Sequence, residues 1–312
     1  MHPIVFFFLG FVLLYFGGEM LVKGSVSIAQ KLRISTLIVG LTVVSFATSA
    51  PELFVSLQAA LEGRTNIVFG NVIGSNIANI AFVLALTAMI FRVNISTETY
   101  RINYPFMLVI SIMLSVLLYF FNGIWLFFGY IFVLILICFL VFLIKKATAN
   151  RNDSSDDFEI QHSLTYSVFF IIIGILFLKY GADWLVEGTI YIAKIFSVSD
   201  RVIAVTIVAI GTSIPELATS IIGALKKEED LVVGNLIGSN IFNILAVLGI
   251  TSACFGLSID DVRIITFDIP WMILISLVIG LFIYYKSAKV ISRKEGFFLF
   301  ALYIIYMYLS IS

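Results

Sequence analysis

Apolar stretches of membrane-spanning length recur along this chain, separated by breaks rich in charged residues, Gly, Pro and Asn. They fall at about 4–22, 36–61, 67–91, 103–121 and 124–144, and again at about 163–186, 202–224, 231–256, 265–285 and 296–311. A helix needs about 20 apolar residues to cross the hydrocarbon core of a bilayer. The pattern therefore predicts an all-α integral membrane protein with ten transmembrane helices. One long polar stretch, Lys145 to His162, contains Asn150-Arg151-Asn152-Asp153-Ser154-Ser155-Asp156-Asp157. It reads as a short solvated linker between residues 1–144 and 163–312. The N-terminal run lacks a charged leader region and a small-residue cleavage site, so it reads as the first helix of the mature protein.

Composition strengthens the membrane reading. Hydrophobic residues make up 61% of the chain and charged residues 12%, against about 25% charged in soluble domains. The formal net charge of zero argues against nucleic acid as a partner. Cys138 and Cys254 sit in apolar runs without metal-ligand spacing. Charge placement sets orientation. The loops after odd-numbered predicted spans hold fourteen of the nineteen basic residues, the other loops four, and Lys179 lies within a span. By the positive-inside rule, both termini lie outside and the 145–162 linker lies in the cytoplasm.

A shift of 164 residues superimposes the chain on itself. Residues 41–80 match 205–244 at 20 of 40 positions, including Pro51-Glu52-Leu53 on Pro215-Glu216-Leu217 and Gly74-Ser75-Asn76-Ile77 on Gly238-Ser239-Asn240-Ile241. Upstream, Gly17-Gly18-Glu19 falls on Gly181-Ala182-Asp183. Each unit holds five predicted spans, an odd number, so the second copy enters the membrane from the opposite side. That is the inverted-repeat plan of secondary transporters, whose substrates bind near the midplane. Duplication for packing alone would keep Leu, Ala and Gly; here the best-kept positions are polar and acidic.

Glu52 and Glu216 fall in the middle of predicted spans, where a carboxylate is costly and marks function by default. Without nearby basic residues, two such carboxylates repel each other unless a proton or a cation intervenes. Pro51 and Pro215 remove the N–H groups that the carbonyls of Ala47 and Gly211 would accept from, beside Thr48 and Thr212. Freed carbonyls, hydroxyls and carboxylates are hard oxygen ligands, suited to Ca²⁺ or Na⁺. No His or Cys cluster offers a transition-metal site. Ser75 and Asn79 are four apart on one helix face, as are Ser239 and Asn243. Glu19 and Asp183 read as interfacial residues at the ends of spans 1 and 6.

Thr48-Ser49-Ala50-Pro51-Glu52 with Gly70-Asn71-Val72-Ile73-Gly74-Ser75-Asn76, and Gly211-Thr212-Ser213-Ile214-Pro215-Glu216 with Gly234-Asn235-Leu236-Ile237-Gly238-Ser239-Asn240, resemble the two alpha-repeats of sodium/calcium exchangers, within the cation/calcium antiporter superfamily. The resemblance covers nearly the whole chain. It implies electrogenic exchange of several Na⁺ for one Ca²⁺ by alternating access, with spans 1 and 6 sliding against the rest. It implies Glu52 and Glu216 as shared ligands of both ions, with Thr48 and Thr212 giving backbone and hydroxyl oxygens. Ser49, Ser213, Ser75 and Ser239 would line flanking Na⁺ sites, and Asn79 and Asn243 a central polar position. Ala209 would offer a carbonyl, and Ser45, its counterpart, could offer another. Potassium-dependent relatives carry Asp at the position of Asn243, so the resemblance implies K⁺-independent exchange. It implies no cofactor, and no obligate protein partner is evident.

Three rivals differ in mechanism. A Ca²⁺/H⁺ antiporter on the same scaffold changes only the coupling ion. A channel would usually build such a site by symmetry between subunits, whereas here symmetry lies within one chain. An intramembrane enzyme would need a nucleophile–base pair, a paired-Asp constellation or a metal cluster, and no His lies within a predicted span.

Overall fold

The computed structural model describes residues 3–149, 163–196, 209–285 and 289–311. These are overwhelmingly helical, as expected where no water is present to satisfy backbone N–H and C=O groups. The long elements are α1 (Pro3–Leu32), α2 (Thr36–Thr48), α3 (Ala50–Leu61), α4 (Thr65–Ile90), α5 (Thr99–Phe121) and α6 (Leu126–Ala149). They continue as α7 (Leu164–Ile195), a short turn α8 (Ala209–Gly211), α9 (Ile214–Leu225), α10 (Glu229–Phe255), α11 (Ile264–Tyr285) and α12 (Arg293–Ile311). Among the described residues, seven helices are long and apolar enough to cross a membrane, or eight if the bent pair α2–α3 is one span. The chain is thus a multi-pass membrane protein. Helix α6 runs to Ala149, into the stretch read as linker; residues 150–162 and the first part of the span predicted at 202–224 lie outside the described residues.

Burial sorts the helices into layers. The apolar window of α10 is 100% buried and that of α4 72%, whereas those of α1, α6 and α7 are each 28% buried. Helices α4 and α10 therefore form the centre, and the others turn large apolar side chains such as Phe8, Phe127 and Phe169 outward, toward lipid. Two short antiparallel ribbons tie helix ends together: β1 (Val93–Asn94) pairs with β4 (Val290–Ile291), and β2 (Gly123–Ile124) with β3 (Leu257–Ser258). The 164-residue shift carries β1 onto β3. Each ribbon thus takes one strand from each half.

Helices α1 and α7 lie side by side along their lengths. Gly10, Gly17 and Gly24 recur every seven residues in α1, and the shift carries them onto Gly174, Gly181 and Gly188 in α7. Gly10 meets Gly181, and Gly17 meets Gly174, so the two helices run antiparallel with their backbones in contact. A Cβ on Gly17 would come within 2.8 Å of the Leu178 backbone nitrogen. Small residues allow this approach where lipid provides no hydrophobic drive between helices.

The seam corrects one part of the reading of Glu19 and Asp183: neither residue ends its helix. Helix α1 continues unbroken through Gly17-Gly18-Glu19, and α7 through Gly181-Ala182-Asp183. The glycines there serve helix contact and do not stop the helix. At 1.5 Å per residue a 30-residue helix is about 45 Å long, well beyond a core of about 30 Å.

Candidate cation site

Each candidate glutamate follows a broken helix. Pro51 denies α2 the N–H it needs to continue, so α2 stops at Thr48 and α3 restarts at Ala50, bent by 41°. Ser49 sits in the break with φ −84° and ψ 0°. The second half repeats the device: Ser213, at φ −89° and ψ 4°, precedes α9, whose second residue is Pro215. Proline is tolerated in a first helical turn, where its missing N–H has no intrahelical acceptor. Glu52 and Glu216 follow directly, in the first turns of α3 and α9.

Both glutamates are 0% exposed. None of their four carboxylate oxygens reaches a hydrogen-bond partner, and no lysine or arginine pairs with either among the described residues. The two carboxylates lie close enough for the charge on Glu216 to act on Glu52. Hydroxyls surround them in a crossed pattern. Ser75 and Thr212 face Glu52, and Thr48 and Ser239 face Glu216. The Thr48 hydroxyl lies 3.2 Å from that of Ser239, and Ser75 lies 3.4 Å from Thr212. Each glutamate thus meets a serine of its own half and a threonine of the other. The Ser49 and Ser213 hydroxyls are buried and also lack a protein partner.

Asn79 and Asn243 are buried one helical turn beyond Ser75 and Ser239. Both open π-helical stretches, Asn79–Leu84 in α4 and Asn243–Leu248 in α10. Such single-turn bulges concentrate at functional sites because they reorient side chains and loosen the backbone ladder. The side-chain oxygens of both asparagines have no hydrogen-bond partner.

Ser45 behaves differently from a simple carbonyl donor. Its hydroxyl bonds the Gly40 carbonyl at 2.7 Å and the Asn235 carbonyl at 3.0 Å, stapling α2 to α10, and its own carbonyl accepts from Ser49 N–H at 2.9 Å. Ala209 opens α8, just before the second break. Ten of the sequence-predicted positions, all but Ser45 and Ala209, thus lie at the two helix breaks and the facing turns of α4 and α10.

The sequence reading missed four amides as parts of this centre. Asn71 donates to the Glu52 carbonyl at 3.1 Å and to Ser56 at 3.0 Å. Asn235 accepts from Thr48 at 3.1 Å. Asn76 and Asn240 reach across between α4 and α10. All four are polar residues preserved by the 164-residue shift inside spans, and that was the signal available.

A cavity of about 370 Å³ leads toward the centre, lined by Pro51, Val55, Lys179, Asp183, Thr212 and Pro215. It separates α7 from the start of α3. The corresponding approach by α1 is closed: α1 packs on α9, a Cβ on Gly18 would meet the Ile222 side chain at 2.6 Å, and Lys226 pairs with Glu19 at 3.1 Å. One approach is open and its symmetry mate is shut.

Comparison with known proteins gives a consistent answer. Residues 2–145 and 166–312 match the family described as sodium/calcium exchanger protein. The chain is 36% identical to the putative antiporter CaxA of Alkalimonas amylolytica, over 99% of this chain and 98% of that one. It is 29% identical to the sodium/calcium exchanger MaX1 of Methanosarcina acetivorans, over 96% and 95% of the two. Its fold superimposes on a solved structure of the sodium-calcium exchanger NCX_Mj with a TM-score of 0.82 at 32% identity, covering 97% of this chain and 96% of that one. With duplicated proline-broken helices, paired buried glutamates and a match over nearly its full length, the chain belongs to the sodium/calcium exchanger family.

Proposed function

We propose that this chain is a secondary active antiporter exchanging Na⁺ for Ca²⁺ across the cell membrane, electrogenically and without K⁺. The observation that carries the reading is the pair of fully buried, unpartnered carboxylates of Glu52 and Glu216, each faced by hydroxyls from both halves. In a low-dielectric interior such a pair is costly until a cation bridges or joins it. Hard oxygen ligands without His or Cys favour Na⁺ and Ca²⁺. Thr48, Thr212, Ser49, Ser213, Ser75 and Ser239 complete the oxygen lining beside Asn79 and Asn243, with backbone oxygens from the breaks near Ser45 and Ala209. The relatives named sodium/calcium exchangers support the choice of ions.

The architecture in this reading is ten transmembrane helices in two inverted five-helix repeats, residues 1–144 and 163–312. The antiparallel α1–α7 seam and the ribbons that exchange strands between halves support inversion. Counting α2–α3 as one span, and adding α9 with the residues before it and α12, gives ten. The 145–162 linker is cytoplasmic and both termini lie outside. Alternating access follows from the unequal approaches: α1 and α7, joined by their glycine seam, move as one unit and open one side as they close the other.

Reconstitution into liposomes tests the reading directly. Calcium-45 uptake is expected to need an outward Na⁺ gradient, to persist without K⁺, and to be lost in Glu52→Gln and in Glu216→Gln. Uptake driven by a pH gradient alone would instead establish the Ca²⁺/H⁺ alternative. Full activity in both variants would refute the site.

A further inference from the structure

Asn76, Asn240, Asn79 and Asn243 form a symmetric hydrogen-bonded circuit with two open ends. Asn76 donates its side-chain NH₂ to the Asn240 backbone carbonyl at 3.3 Å and lies 3.9 Å from the Met272 sulfur. Asn240 donates to the Asn76 carbonyl at 3.3 Å and lies 3.7 Å from the Met107 sulfur. Those donations fix which end of each amide carries oxygen. The oxygen of Asn76 then accepts from the Asn243 NH₂ at 3.1 Å, and the oxygen of Asn240 accepts from the Asn79 NH₂ at 3.0 Å. Asn79 and Asn243 have thereby committed their nitrogens, and the oxygens that remain are the buried, unpartnered ones.

We infer that Asn76 and Asn240 are positioning residues that make Asn243 and Asn79 present oxygen, never N–H, to the transported cation. This rests on the exchange reading above and extends it. An amide at a cation site is ambiguous, because one end is a ligand and the other carries hydrogens that repel the ion. A carboxylate has no such ambiguity, since both its ends are oxygens. A chain with asparagine at both central positions needs a device that selects the end. Backbone carbonyls provide it: they cannot flip, they set Asn76 and Asn240, and these set their partners. The circuit also links α4 to α10, so the central oxygens of both halves are oriented by the opposite half.

The test is a double-mutant cycle read by calcium-45 binding to the purified full chain. Asn76→Leu keeps similar bulk but removes the acceptor for the Asn243 NH₂. It is expected to weaken Ca²⁺ binding by about tenfold. In an Asn243→Asp background the same Asn76→Leu change is expected to cost less than about threefold, because either end of a carboxylate is a ligand. Equal losses in both backgrounds would reduce Asn76 to a packing residue and overturn the inference. Asn240→Leu with Asn79→Asp is the mirror cycle. The wild type offers a readout independent of variant folding. With side-chain carbon-13 asparagine, Ca²⁺ should shift an amide carbonyl band in the infrared difference spectrum, and an unmoved band would overturn the inference. Wild-type protein that neither binds Ca²⁺ saturably nor exchanges it for Na⁺ would defeat the exchange reading and this one with it. Loss of the cycle's coupling in an active exchanger would defeat this one alone.

Discussion

In the proposed exchange, a proton on Glu52 or Glu216 would compete with the metal cation for the same oxygens. A protonated carboxyl is a poor ligand and carries no charge to hold Ca²⁺. Both groups are buried and, among the described residues, have no basic partner to replace the lost charge. Exchange should therefore fall as pH drops. Uptake measured between about pH 8 and 5 is expected to show a rising apparent KM for Ca²⁺ toward acid, and a flat profile would count against shared carboxylate sites. At the same scale, asparagine at position 243 has its orientation set by a neighbour. The path runs to Asn76 on the facing helix α4 and returns to the Asn240 backbone of α10.

Among the elements, the α1–α7 seam leaves no room for added bulk. Gly17 and Gly174 face each other's helices at backbone distance: a Cβ on either would lie 2.8 Å from an opposing main-chain nitrogen. Main chain cannot swing aside as a side chain can, so the helices must separate. Overpacking of this kind costs about 1–3 kcal/mol. Gly17→Val and Gly174→Val should each lower the thermal midpoint in detergent and slow exchange. Phe120→Leu, at a lipid-facing side chain 71% exposed, should leave both unchanged. Seam variants as stable as the wild type would show that α1 and α7 do not act as a unit. The broken helices are a different kind of element. Their proline sits in a tolerated first-turn position, and the break is used to aim Ser49, Ser213 and the glutamates that follow at one centre.

For the whole molecule, the open approach beside α7 has a predicted side. With the linker cytoplasmic, α7 runs outward, which puts Lys179 at its midpoint, Asp183 in its outer half and the cavity toward the outer face. In a background with Cys138 and Cys254 replaced by Ser, Asp183→Cys should react with a membrane-impermeant thiol reagent added outside. Labelling only from the cytoplasmic side would reverse the orientation. Charge movement is the other property of the whole assembly. If more than two Na⁺ leave for each Ca²⁺ that enters, positive charge leaves the vesicle during uptake. An inside-positive potential should then speed Na⁺-driven Ca²⁺ uptake, and a rate indifferent to potential would rule out electrogenic exchange.

Hydropathy and the 164-residue shift made the duplication, the membrane class and the paired glutamates legible without coordinates. The reason is physical. Lipid enforces apolar runs of fixed length, and a polar residue kept twice inside such runs has few explanations besides chemistry. Pro51 and Pro215 announced their helix breaks because a missing N–H acts locally. What stayed hidden depends on which helices touch. No spacing rule says that Glu52 meets Thr212 and Glu216 meets Thr48, since those partners lie 160 and 168 residues apart and come together only when the halves cross. The helix-contact role of the α1 glycines was hidden because their partner surface on α7 is absent from local sequence. The orientation of the central amides is of the same kind, being fixed by backbone carbonyls of the opposite half. Periodicity, duplication and proline chemistry belong to the chain alone. Which end of an amide faces the ion, and which approach to the glutamates stands open, were decided by tertiary contacts.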